Sequence, residues 1–138
     1  MENIKQINTL RNKTSTKTIA CRKKCSKKNT ACIIKECQKV DTELWILNWK
    51  YNKLQTELKI EIIKIAIEHG SIDTTLYHKV KKMFLKDPKE NFDELFYDID
   101  RNKNIKPQCK KKITNLEKGI KLFTKMENKK KKQLNALK

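Results

Sequence analysis

Glycine and proline are nearly absent, two of each in 138 residues. That leaves no material for a glycine-rich phosphate loop, a collagen repeat or the tight turns of an all-β chain. Long apolar runs are missing as well. The longest within a plausible helix is Leu44 to Leu47, far below the roughly 18 residues that suggest a bilayer span. No charged-then-apolar leader precedes it, so the chain reads as one without a secretory signal or membrane span. Glu2 and the scarcity of arginine argue against an organelle presequence. Arginine numbers only three against 31 lysines, which disfavours bidentate reading of base edges.

Acidic residues are scarce where basic ones abound. Residues 1–40 hold eleven Lys/Arg and two Glu, a net of +9, and residues 106–138 hold twelve against two, a net of +10. Residues 41–70 carry −1 and residues 71–105 carry zero, within a whole-chain formal charge of +18. Eight of nine aromatics lie between 41 and 105. The expected organisation is a basic, cysteine-containing and partly helical N-terminal arm (1–40), a neutral helical core (41–105), and a basic C-terminal helix and tail (106–138). Lys, Ile and Asn make 59 of the 138 residues, the signature of A/T-rich codon drift. Drift would also enrich Glu, however, so the asymmetry of the arms needs a physical reason.

Apolar periodicity is helical throughout. Leu47, Tyr51, Leu54, Leu58, Ile62 and Ile65 repeat at intervals of three and four, predicting a helix over 42–69. Gly70 ends it, and Ser71 starts a second stripe of Ile72, Leu76, Val80, Met83 and Phe84. Asp87-Pro88-Lys89-Glu90 has the form of a capping box with proline at the first helical position. Phe92, Leu95, Phe96 and Ile99 follow on one face. A last helix starts at Pro107 with a narrow seam of Cys109, Ile113, Leu116, Ile120 and Phe123. Its burial is expected to end near Met126, with the final residues extending along an anion or into solvent. Thr18 to Val40 permits a helix with Cys21, Cys25 and Cys32 on one face. Residues 1–16, poor in apolar side chains, read as a mobile or partner-ordered arm. The fold class expected is all-α: a small helical bundle with a long central helix and basic extensions at both ends.

Four cysteines at 21, 25, 32 and 37 follow C-x3-C-x6-C-x4-C. Neither half is the C-x2-C knuckle of structural zinc sites, so zinc on Cys21, Cys25, Cys32 and Cys37 is the least favoured reading. Reduced, buried thiols are expected, with disulfides as the alternative in an oxidising compartment. His69 and His78 read as surface or helix-end residues. Asp98 to Ile105 resembles an EF-hand loop at its first, third, fifth and eighth positions. Lys103 stands where the turn glycine belongs, and Cys109 replaces the closing glutamate, so an interhelical loop is expected instead. No metal and no cofactor is implied.

The candidate functional groups are the lysine clusters Lys23, Lys24, Lys27 and Lys28, Lys110, Lys111 and Lys112, and Lys129, Lys130, Lys131 and Lys132. They suit sequence-tolerant contact with phosphate. No H-E-x-x-H, G-x-S-x-G or phosphate-loop motif accompanies them, so no enzyme is expected. The expected function is a basic structural or assembly protein contacting nucleic acid or another polyanion, intracellular or inside a virion or ribonucleoprotein particle. The alternative is a protein-interaction or assembly module, docking a partner or a second copy through Ile113, Leu116, Ile120 and Phe123, with lysine serving solubility.

Overall fold

The computed structural model describes residues 4–25, 30–32, 34 and 37–137. Among these the chain is all-α, without strands, in the order α1 (Ile4–Lys24), α2 (Thr30–Cys32), α3 (Gln38–His69), α4 (Thr74–Val80), a 3-10 turn (Lys81–Met83), α5 (Pro88–Leu95) and α6 (Ile105–Ala136). None of these helices is long and apolar enough to cross a membrane. The chain divides into two compact units, one of residues 1–55 and 121–138, the other Thr56–Ile120. Both long helices, α3 and α6, supply residues to each unit.

The first unit sets α1 and the end of α6 against the first half of α3. Arg22 meets Asp41 at 3.1 Å, and the Arg11 guanidinium lies 4.0 Å from the centre of the Tyr51 ring, so α1 runs antiparallel to α3. Lys130 sits over Trp45, and Phe123 packs 5.7 Å from Trp49, so α6 is antiparallel to α3 as well. The interior is thin. Among the described residues its buried side chains are Ile7, Ile46, Cys25 and Cys37 together with Thr14, Thr18, Thr42 and Glu127.

Half of that set is polar, and three of the four α1 threonines bond back into the helix. The Thr18 hydroxyl donates to the Thr14 carbonyl at 3.1 Å, and Thr9 and Thr16 donate to carbonyls four residues back. Residues 4–16 are therefore helical rather than a mobile arm. The buried face of α1 consists of Ile7, Thr14 and Thr18, which lie on one side at intervals of seven and four.

The single helix expected over Thr18–Val40 is also replaced. Cys21 pairs with Cys37, and Cys25 with Cys32, with Cα atoms 5.8 and 5.7 Å apart. In a continuous helix these separations of 16 and 7 residues would span roughly 24 and 10 Å at 1.5 Å per residue. The chain must therefore reverse between α1 and α3. Two nested disulfides close the hairpin, in place of the reduced thiols expected. A unit with so little apolar interior gains most from such crosslinks.

The second unit holds the apolar core. Ile62, Ile63 and Ala66 of α3, Leu76 and Val80 of α4, Phe92 and Leu95 of α5, and Cys109 of α6 form one buried cluster with Ile72, Phe96, Ile99 and Ile105. Phe92 anchors an aromatic group, edge-on to Phe96 at 5.0 Å and to Tyr77 at 5.3 Å. The stripes read from the sequence on α4, α5 and the start of α6 enter this cluster, and of the α3 stripe Ile62 does, with Leu58 and Ile65 packed against it.

Helix ends differ in detail from the sequence reading. Gly70, at φ +90°, ends α3 in the left-handed conformation that favours glycine. The cap of α4 is Asp73 rather than Ser71: its carboxylate accepts from the Leu76 N–H at 2.9 Å and from the Ser71 hydroxyl at 2.7 Å. His69 Nε2 lies 3.0 Å from the same carboxylate, and Lys79 Nζ lies 3.1 Å from His69 Nδ1. The expected capping box at Asp87 does not form. Asp87 adopts φ +46° and its side chain caps nothing, because the left-handed backbone departs from the extended geometry that aims a cap at the first turn. The last helix begins at Ile105, two residues before Pro107, where Asn104 Oδ1 accepts from the Lys106 N–H at 3.1 Å.

Cys21→Ser/Cys37→Ser should destabilise the first unit by about 3 kcal/mol, the loop-entropy value for a closure of this length. Trp45 and Trp49 both lie in that unit, so urea unfolding followed by tryptophan fluorescence reads it directly. An unchanged midpoint would mean that the crosslink does not hold the hairpin.

The Leu76 N–H bond, then the Ser71 and His69 contacts, lower the Asp73 pKa from 3.8 to about 2. A depressed folded pKa stabilises the native state above the unfolded value and loses that contribution as pH falls through about 2. Asp73→Ala should thus lower the urea midpoint at neutral pH, with the difference from wild type closing in strong acid. A difference independent of pH would show that the carboxylate charge is not what caps α4.

Candidate polyanion-binding surface

The two lysine clusters at opposite ends of the sequence are placed at similar levels along α3 in the first unit. Arg22 pairs with α3 at Asp41, and Lys130 reaches α3 at Trp45. Four residues of helix separate these points, roughly 6 Å along the axis. Lys23 and Lys24, in the last turn of α1, are therefore brought to the same end of α3 as the run from Lys129 to Lys132. Lys23, Lys24, Lys129, Lys131 and Lys132 are exposed, and Lys130 is half-buried against the indole. Placing cations in the last turn of α1 also suits the negative end of its dipole.

The lysines are not equivalent. Lys131 Nζ is 2.7 Å from Glu127 Oε2, an i,i+4 pair whose carboxylate is nearly buried. Lys23, Lys24, Lys129 and Lys132 make no ion pair among the described residues. Lys27 and Lys28 lie outside the described residues. The first unit thus presents four exposed ammonium groups that no acid among the described residues shares, two at the end of α1 beside the disulfides and two on α6.

In the second unit, Lys110 and Lys111 are exposed on α6, but Lys112 is turned inward. Its ammonium donates to the Leu95 carbonyl and to Asp98 Oδ1, the latter at 2.6 Å, and only 18% of its side chain is accessible. Lys112 ties α6 to the turn after α5, so of this cluster its ammonium is the one already engaged within the chain. The reason is local: α5 ends at Leu95, leaving a carbonyl without a helical partner, and a lysine one turn beyond Cys109 is within reach.

Asp98 and Asp100 are likewise occupied. Gln108 Oε1 accepts from the Asp100 N–H at 2.7 Å, and its amide donates to the carbonyls of Asp100 and Asn104. Asp100 Oδ1 accepts from the Asn102 N–H at 3.0 Å. The oxygens that gave the loop its calcium-like spacing close an interhelical turn instead. The four N-terminal cysteines are held as disulfides and offer no thiolates to a metal. Among the described residues no group of three or more His, Cys, Asp or Glu is placed to hold a metal ion.

Cys109 is a buried free thiol. Burial pushes its pKa up, opposed by the Lys112 charge and aided by Asp98, so it is held away from the nucleophilic thiolate.

The apolar seam of α6 is occupied within the chain. Cys109 is fully buried, Ile113 and Leu116 pack on the core of the second unit, and Phe123 lies against Trp49. Burial continues past Met126, since Glu127 is buried, Leu134 is half-buried, and the helix runs on to Ala136. The last dozen residues are therefore mostly helix, anchored at Trp45 by Lys130.

Aromatic placement was the feature that charge counting missed. Trp45 is 49% exposed and stacks on Trp49 at 6.2 Å, with the Lys130 ammonium 5.5 Å from its ring centre. The i,i+4 spacing of the two tryptophans was visible in the sequence, but their proximity to the lysine run was not.

Comparison with protein-family models, with curated proteins and with solved structures gives no match.

Lys112→Gln should lower stability by about 1 kcal/mol, discounted for the exposure of Asp98, and leave heparin affinity near that of the wild type. Lys111→Gln should do the reverse. Paired measurement of urea midpoint and heparin-column elution separates the two roles, and equal elution shifts would contradict them.

Proposed function

We propose that this chain is a non-enzymatic basic structural or assembly protein that neutralises the phosphates of nucleic acid or a similar polyanion, without reading sequence. The observation that supports this most is the convergence of Lys23 and Lys24 with Lys129 and Lys132 at one end of α3, where no acidic side chain among the described residues pairs with them. Like charges gathered in this way raise the local potential and favour an anionic counterpart. Lysine, a mobile point charge, suits phosphate rather than base edges. A nucleic-acid-rich particle such as a virion or ribonucleoprotein is the setting that fits this chemistry. The disulfides add that the chain meets oxidising conditions at some stage.

The alternative of docking a partner through Ile113, Leu116, Ile120 and Phe123 is weakened because Ile113, Leu116 and Phe123 already pack within the chain. The two readings differ in salt response. Neutralising about six to ten phosphates gives a log-log slope of affinity against salt near −5 to −9 on duplex DNA. Fluorescence anisotropy across a salt series measures it. A slope near zero, or no binding at low salt to DNA, RNA or heparin, would refute the proposal.

A further inference from the structure

We propose that Trp45 is a stacking site for an unpaired base of single-stranded nucleic acid, with Lys130 taking the adjoining phosphate. This rests on the phosphate-binding reading above and narrows it from polyanions in general to strands whose bases are open. Trp45 stands at the outer end of an aromatic row. Trp49 supports it at 6.2 Å with planes 26° apart, and Phe123 supports Trp49 in turn at 5.7 Å. The row spans α3 and α6 within the first unit, so the indole is backed by packed side chains while half its surface faces solvent.

Burying that surface on a flat, polarisable partner is favourable, and a base supplies one whatever its identity. A duplex hides its base faces in the stack, and heparin has none. Lys130 is placed for the second half of the contact. Its ammonium lies 5.5 Å from the Trp45 ring centre, and its flexible four-carbon stem lets it exchange the ring for a phosphate when a base arrives. Lys129 and Lys132, exposed in the same turn of α6, add to the positive field around it. Tyr97 is more exposed, at 87%, but it lies in the other unit, where the nearby Lys112 is already held by the Leu95 carbonyl and Asp98, and serves as the control.

The test uses the full-length, disulfide-bonded protein with three probes: oligothymidylate, a duplex of equal length, and heparin. Binding of oligothymidylate should quench tryptophan fluorescence. Trp45→Ala should weaken it roughly fivefold to tenfold while changing duplex and heparin affinity by less than about twofold. Trp45→Phe should recover most of the loss, and Tyr97→Ala should change nothing. Lys130→Gln should weaken all three probes. Circular dichroism of each variant confirms that the helices remain. An equal loss on all three probes with Trp45→Ala, or an abasic strand binding as tightly as oligothymidylate, would overturn the stacking site while leaving phosphate binding intact. Failure of the wild type to bind any probe would overturn both.

Discussion

Self-repulsion is the constraint to which the rest of this structure answers. A formal charge of +18 on 138 residues opposes any compact state, and the two units resist it by different means. The second buries one apolar cluster around Phe92, Leu76 and Ile62, and its local charge is close to balanced. The first has much of the lysine and little interior beyond Ile7, Ile46 and a few threonines. Covalent crosslinks hold its hairpin where apolar burial is too small to do so. This division explains why the disulfides sit beside the basic clusters rather than near the core.

Periodicity made the second unit legible. Ile62, Leu76, Val80, Phe92 and Phe96 could be read as buried because large apolar residues recurring at three and four positions have no other use in a helix. The same rule failed on α1, whose buried face contains threonine. A hydroxyl that bonds back to the carbonyl four residues earlier, as Thr18 does to Thr14, is silent in a hydropathy pattern, yet both residues are buried. The cysteines misled for a related reason. Their helical phases looked shared only if the helix ran unbroken from Thr18 to Val40, whereas their pairing requires a reversal that no glycine or proline announces.

The candidate surface was half legible. Counting lysines found the clusters, but their convergence depends on two antiparallel packings against α3, which are long-range facts. Counting also could not separate Lys111 from Lys112, adjacent residues of which one meets solvent and the other ties α6 to the end of α5. Trp45 falls within the neutral 41–105 stretch of the sequence, yet in the fold it stands beside Lys130. Together these placements turn a general excess of charge into a surface with an aromatic centre and a basic rim, the two elements that sequence-tolerant recognition of open strands combines.

If unshared lysines strain the folded state and an anion relieves them, stability must depend on ionic strength. The most direct measurement is the urea midpoint of the disulfide-bonded protein, followed by tryptophan fluorescence, across a sodium chloride series and then at low salt with added heparin. The midpoint should rise as salt screens the repulsion, and heparin should raise it further at low salt by binding the native state. A midpoint indifferent to both would contradict the account, because the lysines would then be solvated charges that neither oppose folding nor await a partner.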